Sequence, residues 1–479
     1  MTESVVLAGG TASPATTGLS PRRLLLPLAL AQFICSFAGS NMNVMINDIT
    51  EDLGTTVKGV QTAITLFLLI MAILMIPGSK LSDRWGRKRC FMIGLTLYGI
   101  GALLSAASPG LGVLILGNSV FEGVGTALLI PPVYILTTLA FVDLTSRAKA
   151  FGTIMGAAGI GAAAGPLIGG LIATGISWRA AFVFQALVVG VIIVLSRGLV
   201  DPLPPDPSRP FDTVGAVLSG VGLFFLVFAI LQIGTHNLLA AVFAAIGTVF
   251  LIWFFFYIRA SERAGKEPLL STGLFKNRTS NLGLVTQIIQ WMVLMGVSFV
   301  VSVFLQTVRG YSAIETGVVF TAATVGVLVS SLGAERFAKR RAQRTLIVSG
   351  FAGALAGIGI LIGLVRAWSS VVAFTPGLLL IGLGLGLMLT PSVNIVQSSF
   401  PEKQQGEISG LSRSVSNLGS SLGTAIAGTI LVSAVATGNK SYLWAMVALA
   451  VAGAIGLVAA LFLPRNPSTS VGHDQLQAD

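Results

Sequence analysis

Gly78-Ser79-Lys80-Leu81-Ser82-Asp83-Arg84-Trp85-Gly86-Arg87-Lys88-Arg89 separates two long apolar runs, 59–78 and 90–107. Charge is dense in this stretch and sparse on either side of it. Glycine permits a tight turn and close helix contact. Asp83 is able to cap the following helix or to pair with a nearby arginine. The basic cluster anchors the stretch at one face of a membrane. The order G-x-x-L-x-D-R-x-G-R-K is nevertheless more specific than a simple anchor requires.

The rest of the chain supports the membrane reading. Of its 479 residues, 54% are hydrophobic and only 10% are charged, with a mean hydropathy of +0.89. Soluble chains carry about 25% charged residues, and a soluble fold could not hide this much apolar surface. Lipid therefore replaces water around much of it. The 57 glycines suit closely packed membrane helices. The net charge of +11 reads as basic residues held at the cytoplasmic face, not as a nucleic-acid surface. Cys35 and Cys90 lie in or beside apolar runs and form no disulfide framework, and His236 and His473 are the only histidines. Neither a metal enzyme nor a metal site is expected. There is no G-x-x-x-x-G-K-[ST] phosphate loop and no Ser/His/Asp set, so no cofactor is expected and the chain reads as neither an enzyme nor an ATP-driven pump.

A membrane helix needs about 20 apolar residues. Runs of this kind lie at 24–46, 59–78, 90–107, 111–138, 148–173, 178–200, 214–234, 238–258, 280–308, 312–334, 345–365, 370–398, 407–435 and 441–463. These predict an all-α membrane protein of fourteen spans. The expected layout is a disordered tail over 1–21, a six-helix bundle over 22–200, linkers and two inserted helices over 201–279, a second six-helix bundle over 280–465, and a tail over 466–479. With both tails in the cytoplasm, only Lys58, Arg179, Arg309, Arg366 and Lys440 of the 29 lysines and arginines fall outside, and Arg413 falls within a span. All the others lie on the cytoplasmic side, the bias that sets membrane orientation.

The two six-run blocks repeat one another. Gly123-x-Gly125 followed by Pro132 returns as Gly382-x-Gly384 followed by Pro391. Gly152, Gly161, Gly165 and Gly170 return as Gly410, Gly419, Gly423 and Gly428 at a near-constant offset. Asp83-Arg84-Trp85-Gly86-Arg87-Lys88 has an echo in Glu335-Arg336-Phe337-Ala338-Lys339-Arg340. Parallel half-repeats are the mark of a two-bundle transporter with its substrate path between the bundles.

The fifth run holds Gly156, Gly159, Gly161, Gly165-Pro166 and Gly169-Gly170, followed by Ser177-Trp178-Arg179-Ala180-Ala181-Phe182. The glycines bare one helix face and Pro166 permits a bend. The stretch at 78–89 resembles the signature loop of the major facilitator superfamily. The fifth-run pattern resembles the antiporter motif of its fourteen-helix drug:proton antiporter branch. Phe304-Leu305-Gln306, Gly310-Tyr311-Ser312, Pro268-Leu269 and the Gly410–Gly423 stretch resemble further features of that branch.

The resemblance implies two six-helix bundles plus two central helices, working as a monomer in the cytoplasmic membrane. It implies export of amphipathic drugs or small metabolites in exchange for protons, driven by the proton gradient. It also implies that Gly78, Asp83, Arg84, Gly86, Arg87, Gly161, Gly165, Pro166 and Gly169 serve the rocking of the halves, with charge contacts at the signature loop. A lipid or glycolipid exporter, or a facilitator without proton coupling, is the other reading of the same fold.

The coupling residues of the branch are altered here. Aligned with it, Ala38 stands at the Asp of helix 1, and Asn43 matches its Asn. Asn47 stands at its Pro, and Ser119-Val120-Phe121-Glu122-Gly123 replaces Arg-x-x-Gln-Gly. Glu122 is the acid placed deep in a span, near mid-membrane. An ionised carboxylate there is costly. Glu122 thus reads either as the coupling acid or as a structural acid tied to a neighbouring helix. For Arg413 three readings are open: neutralising Glu122, binding an anionic head group, or reaching back to the cytoplasm. Gln32, Ser36, Ser40 and Asn43 share one face of the first span. Gln287 and Gln290, Asn394 and Gln397, Tyr134 and Gln185 are further polar candidates, read either as cavity lining or as links between helices.

Overall fold

A computed structural model describes residues 21–141, 144–201, 204–338, 342–367, 371–400, 404–432 and 439–464. The tails, with His473 and Arg465, lie outside the described residues, as do Lys339, Arg340, Arg341 and Lys403. Each apolar run is largely helical over its described residues. The helices are α1 (Leu24–Asp52), α2 (Val57–Trp85), α3 (Arg87–Ala106), α4 (Leu111–Ala140), α5 (Leu144–Gly175), α6 (Trp178–Ser196), α7 (Thr213–Gln232), α8 (Asn237–Arg263), α9 (Arg278–Val308), α10 (Ala313–Ala338), α11 (Gln343–Ala367), α12 (Val372–Gln397), α13 (Gln405–Val432) and α14 (Asn439–Leu461). Among the described residues, twelve helices are long and apolar enough to cross a membrane, or up to thirteen if the bent α5 counts as one span. The more polar α13 stands outside that count, although it packs in its half as α5 packs in the other.

Local chemistry fixes the helix ends. The side chains of Thr56, Ser177, Asp212 and Asn277 accept backbone N–H bonds at the starts of α2, α6, α7 and α9, satisfying donors that a helix start leaves open. α2 has 29 residues, about 43 Å at 1.5 Å per residue, more than the roughly 30 Å hydrocarbon thickness. It therefore runs on through the charged stretch to Trp85. The expected loop at 78–89 is reduced to one residue, Gly86, whose φ of +95° is open to glycine and strained for other residues. α4 is also irregular: Ile115–Glu122 is a π-helical segment. α5 bends by 43° where Lys149–Ala162 meets Ala164–Gly175, the turn that the Pro166 ring crowds.

The repeat glycines act alike in both halves. A Cβ on Gly161 would collide with the Phe33 carbonyl, and one on Gly419 with the Ile288 carbonyl. These contacts seat α5 on α1 and α13 on α9. A Cβ on Gly125 would stand 2.7 Å from the Gly94 carbonyl oxygen, and one on Gly384 2.5 Å from that of Gly350. These seat α4 on α3 and α12 on α11. The halves meet along two seams related in the same way, α2 against α13 and α5 against α10. α7 packs on both α2 and α13, with Leu69, Val227, Leu231 and Ala425 forming a buried cluster over that seam. α8 leans on α7 and exposes Leu238, Val249, Trp253 and Phe256, a surface suited to lipid.

Candidate functional site: the interface between the halves

The four-helix meeting of α1, α4, α5 and α13 holds a directional chain of hydrogen bonds. Arg413 Nη2 donates to the Tyr134 hydroxyl. That hydroxyl donates to Gln32 Oε1 at 3.1 Å, and Gln32 Nε2 donates to Ser36 Oγ at 3.4 Å. The guanidinium stands over the Tyr134 ring, 4.5 Å from its centroid, and Nη2 lies 3.3 Å from Met155 Sδ. Tyr134 and Gln32 are buried. Arg413 comes from the second half and its partners from the first, so the chain crosses the interface. Of the sequence candidates, the fold brings Gln32, Ser36, Tyr134 and Arg413 together. Met155 was not foreseen, though it occupies the fifth helix where Arg413 occupies the thirteenth.

Glu122 lies elsewhere. It is fully buried and accepts from Ser105 Oγ at 3.3 Å and Asn118 Nδ2 at 3.5 Å. Tyr98 lies beside it, donating at 2.5 Å to Gln185 Oε1. Asn118 Oδ1 and Gln185 Nε2 are buried without hydrogen-bond partners among the described residues. These groups belong to α3, α4 and α6, inside the first half. Tyr134 is farther along α4 than Glu122 by about 18 Å at 1.5 Å per residue. Arg413, tied to Tyr134, therefore does not neutralise Glu122 in this structure. Its side chain is instead turned towards α4 and α5 of the first half.

The polar pairs of the second half have a different fate. Gln287 Nε2 donates to the Ser392 carbonyl at 2.9 Å, and its Oε1 accepts from Ser412 Oγ at 2.8 Å. Gln290 Oε1 accepts from Ser392 Oγ at 3.0 Å. Both glutamines are buried and bind α9, α12 and α13 to one another, not a cavity. Gln397 Nε2 reaches Ser409 Oγ at 3.4 Å, and Asn394 is exposed. Asn43 is buried, and its carbonyl accepts from Gln306 Nε2 at 3.0 Å.

Gln306 fastens the end of the interface remote from the basic stretch. It also accepts from the Asn47 amide at 3.1 Å and, through its carbonyl, from Asn47 Nδ2 at 2.9 Å. Nearby, the Ile314 amide donates to Thr174 Oγ1 at 3.1 Å. A Cβ on Gly317 would stand 2.5 Å from the Pro166 carbonyl oxygen. Gly165 and Gly169 press on Ser40 and Asn41 of α1. Outside the interface, Asp52 accepts from Trp178 Nε1 at 3.0 Å and pairs with Arg179, joining the ends of α1 and α6.

At the basic end, the ion pair between halves among the described residues is Lys80–Glu407, at 2.5 Å. Sequence reading named neither as a site residue. Asp83 pairs with Arg87 at 2.6 Å and with Arg209 at 2.9 Å. Asp201 accepts from the Arg87 and Lys88 amides at 2.6 and 3.3 Å. The signature acid is thus held by its own helix turn and by the linker leading to α7. Gly78 packs against the Ala127 carbonyl of α4, and Gly86 lies against Asp201. Arg84 is half-buried. In the linker, a hydrogen bond from the Ser208 hydroxyl holds the exposed Asp206 carboxyl below its usual range. Among the described residues, no cluster of three His, Cys, Asp or Glu side chains could hold a metal ion.

The family model described as Major Facilitator Superfamily matches residues 28–233 and 212–424. The chain is 30% identical over 431 residues to the puromycin resistance protein pur8 of Streptomyces alboniger, covering 88% of this chain and 85% of the relative. It is 28% identical to the multidrug efflux pump LfrA of Mycolicibacterium smegmatis, covering 88% and 83%. It is 26% identical to the multidrug resistance protein Stp of Mycobacterium tuberculosis, covering 85% and 75%. Among solved structures, a peptide transporter POT in complex with sulfate superposes with a TM-score of 0.68 at 16% identity, covering 92% of this chain and 95% of that one. That likeness is one of fold. The seams, the half-repeat and the family match agree: this multi-pass membrane protein belongs to the Major Facilitator Superfamily.

Proposed function

We propose that the chain exports amphipathic drugs or small organic metabolites across the cytoplasmic membrane, in exchange for protons, by rocking one half against the other. The observation that carries the reading is the pair of repeat-related seams, α2 on α13 and α5 on α10, in a chain whose relatives are named for drug resistance and efflux. Such seams are closely packed yet separable as units, because bare glycine backbone and a few polar contacts hold them. In this reading the basic end faces the cytoplasm. Lys80–Glu407 and Arg413–Tyr134 then close that side, and Gln306 with Asn43 and Asn47 closes the other. The lipid bilayer serves as solvent, and a single chain supplies both halves of the path.

Glu122 is the proposed proton carrier. Neutral partners surround it, and an ionised acid at this depth is costly. Its position inside the first half means that it would act on the path through α4, by changing how the π-helical segment is held. Proteoliposomes loaded with puromycin and given an imposed pH gradient test both parts. Wild-type protein should drive gradient-dependent puromycin movement. Glu122→Gln should lose at least tenfold of the gradient-driven rate while keeping puromycin exchange without a gradient. Full gradient-driven transport by Glu122→Gln would overturn the proton assignment. Wild-type transport insensitive to the gradient would favour the facilitator reading.

A further inference from the structure

We infer that the Arg413–Tyr134–Gln32 chain recognises the acidic group of an aromatic substrate, a carboxylate flanked by a ring, an inference that rests on the export reading above. Arg413 lies about 12 Å into α13 from Gln405 at 1.5 Å per residue, and its side chain points between α1, α4 and α5. Arg413 is half-buried, and a guanidinium withdrawn from water is best met by an anion. Among the described residues its partners are a phenol hydroxyl and a thioether, both neutral. Both contacts fall on one nitrogen, Nη2. A planar carboxylate matches a guanidinium with two parallel hydrogen bonds, which a phenol does not.

The surroundings select the remainder of the ligand. Tyr134 and Phe151 are stacked, with centroids 5.9 Å apart and planes at 20°. They offer an aromatic face beside the cation, and Met155 adds a polarizable, adaptable contact. Gln32 supplies an amide next to the phenol. In the second half the equivalent glutamine, Gln287, is already taken by Ser392 and Ser412. Among the described residues, the site joins the Arg413 guanidinium to an aromatic wall of Tyr134 and Phe151. The location also argues against a lipid head group. Arg413 is turned inward to α4 and α5 of the opposite half, whereas head groups lie at the ends of the spans. An arriving carboxylate would draw the guanidinium from Tyr134 and so loosen a contact that joins the halves. Recognition and release of the basic end would then be one event.

The test uses full-length protein purified in neutral detergent, with 6-hydroxy-2-naphthoic acid and its methyl ester as probes and puromycin as a third ligand. Wild-type protein should bind the acid at least tenfold more tightly than the ester, and added salt should weaken acid binding alone. Arg413→Gln should abolish the preference and bring the affinities for acid and ester together. Arg413→Lys should retain part of the preference. Equal affinity of wild-type protein for acid and ester would overturn the inference, as would an undiminished preference in Arg413→Gln. Acid affinity lost in wild-type protein on adding phosphatidylglycerol, but not phosphatidylcholine, would assign the cation to a lipid head group and also overturn it. If Arg413→Gln does not fold, the wild-type acid–ester ratio and its salt dependence decide the matter. Failure of wild-type protein to move puromycin would remove the export reading, while the acid–ester ratio would still report on the site.

Discussion

Gln32 and Gln287 occupy equivalent places in the two halves, each one residue before the carbonyl, Phe33 or Ile288, on which a repeat glycine packs. Gln287 is spent inside its own half, linking α9 to Ser392 of α12 and Ser412 of α13. Gln32 accepts from Tyr134, which in turn accepts from Arg413 of the other half. The backbone frame was kept between the repeats while the polar contents diverged. One half became internally cross-linked at this depth, and the other kept its hydrogen-bonding groups at the seam. Pairs of substitutions at equivalent sites separate the shared frame from the divergent contents.

The largest effect is expected where the halves are alike. Gly161→Ala and Gly419→Ala each drive a methyl into a backbone carbonyl, which cannot move aside as a flexible side chain can. Overpacking of this kind costs about 1–3 kcal/mol, and here it also pushes two helices apart. Both variants should lower the apparent melting temperature in detergent and cut puromycin export at least tenfold. Gly156→Ala is the control, because nothing lies within 4 Å of its Cβ. A tolerant Gly161→Ala beside a damaged Gly419→Ala would break the equivalence of the two frames.

That frame was legible in the sequence because glycine spacing encodes helix contact directly. Gly161, Gly165 and Gly170 repeat as Gly419, Gly423 and Gly428, and the fold uses them alike. The path was less legible. Gln32 and Gln287 have the same residue type and the same helical setting, and only the rotation of neighbouring helices decides which side chain meets which. The sequence leaves Gln287 open between cavity lining and a link between helices, and in the fold it bonds to Ser392 and Ser412 of neighbouring helices. Glu122 stands out in the sequence by its place along the fourth span, but position along a helix says nothing about which face it occupies. Its neighbours Ser105 and Tyr98 lie on α3. The signature stretch was legible in part, since Asp83 pairs with Arg87 of its own stretch as the sequence allows. Its pattern drew attention to Asp83, whereas the ion pair between the halves uses Lys80 and Glu407, whose partnership joins residues distant in sequence.

The next effect tests the divergence itself. Gln287→Leu would strip partners from Ser412 and from the Ser392 carbonyl, both buried. An unsatisfied buried group costs about 1–3 kcal/mol, so this variant should lose thermal stability first and transport only in proportion to folded protein. Gln32→Leu should do the reverse. It removes one neutral hydrogen bond from Tyr134, worth about 1 kcal/mol, and leaves the Arg413 contact available. Its melting temperature should stay close to wild type while the KM for puromycin changes severalfold. Equal stability losses in the two variants would mean that the seam chain is only another helix link.

The smallest effect is expected at the Lys80–Glu407 pair, and it compares the two seams. α2 and α13 carry this ion pair and the α7 brace, whereas Lys149, the repeat counterpart of Glu407 on α5, is exposed. Both charged groups are partly solvated, with side chains 23% and 25% exposed. Such a pair contributes about 0–1 kcal/mol, and salt screens it. Lys80→Gln should therefore leave the melting temperature almost unchanged. Its signature should lie in the balance between conformations, because the pair exists only while this end of the seam is closed. Labelling of a cysteine introduced at Ser409, two residues from Glu407, should rise two- to fivefold in Lys80→Gln and in Glu407→Gln. The charge-swapped double variant, Lys80→Glu with Glu407→Lys, should return it towards wild type. Restoration by the swap would identify the pair as a latch on one seam. Equal labelling in all four proteins would show that α7, bridging α2 and α13, holds that seam without it.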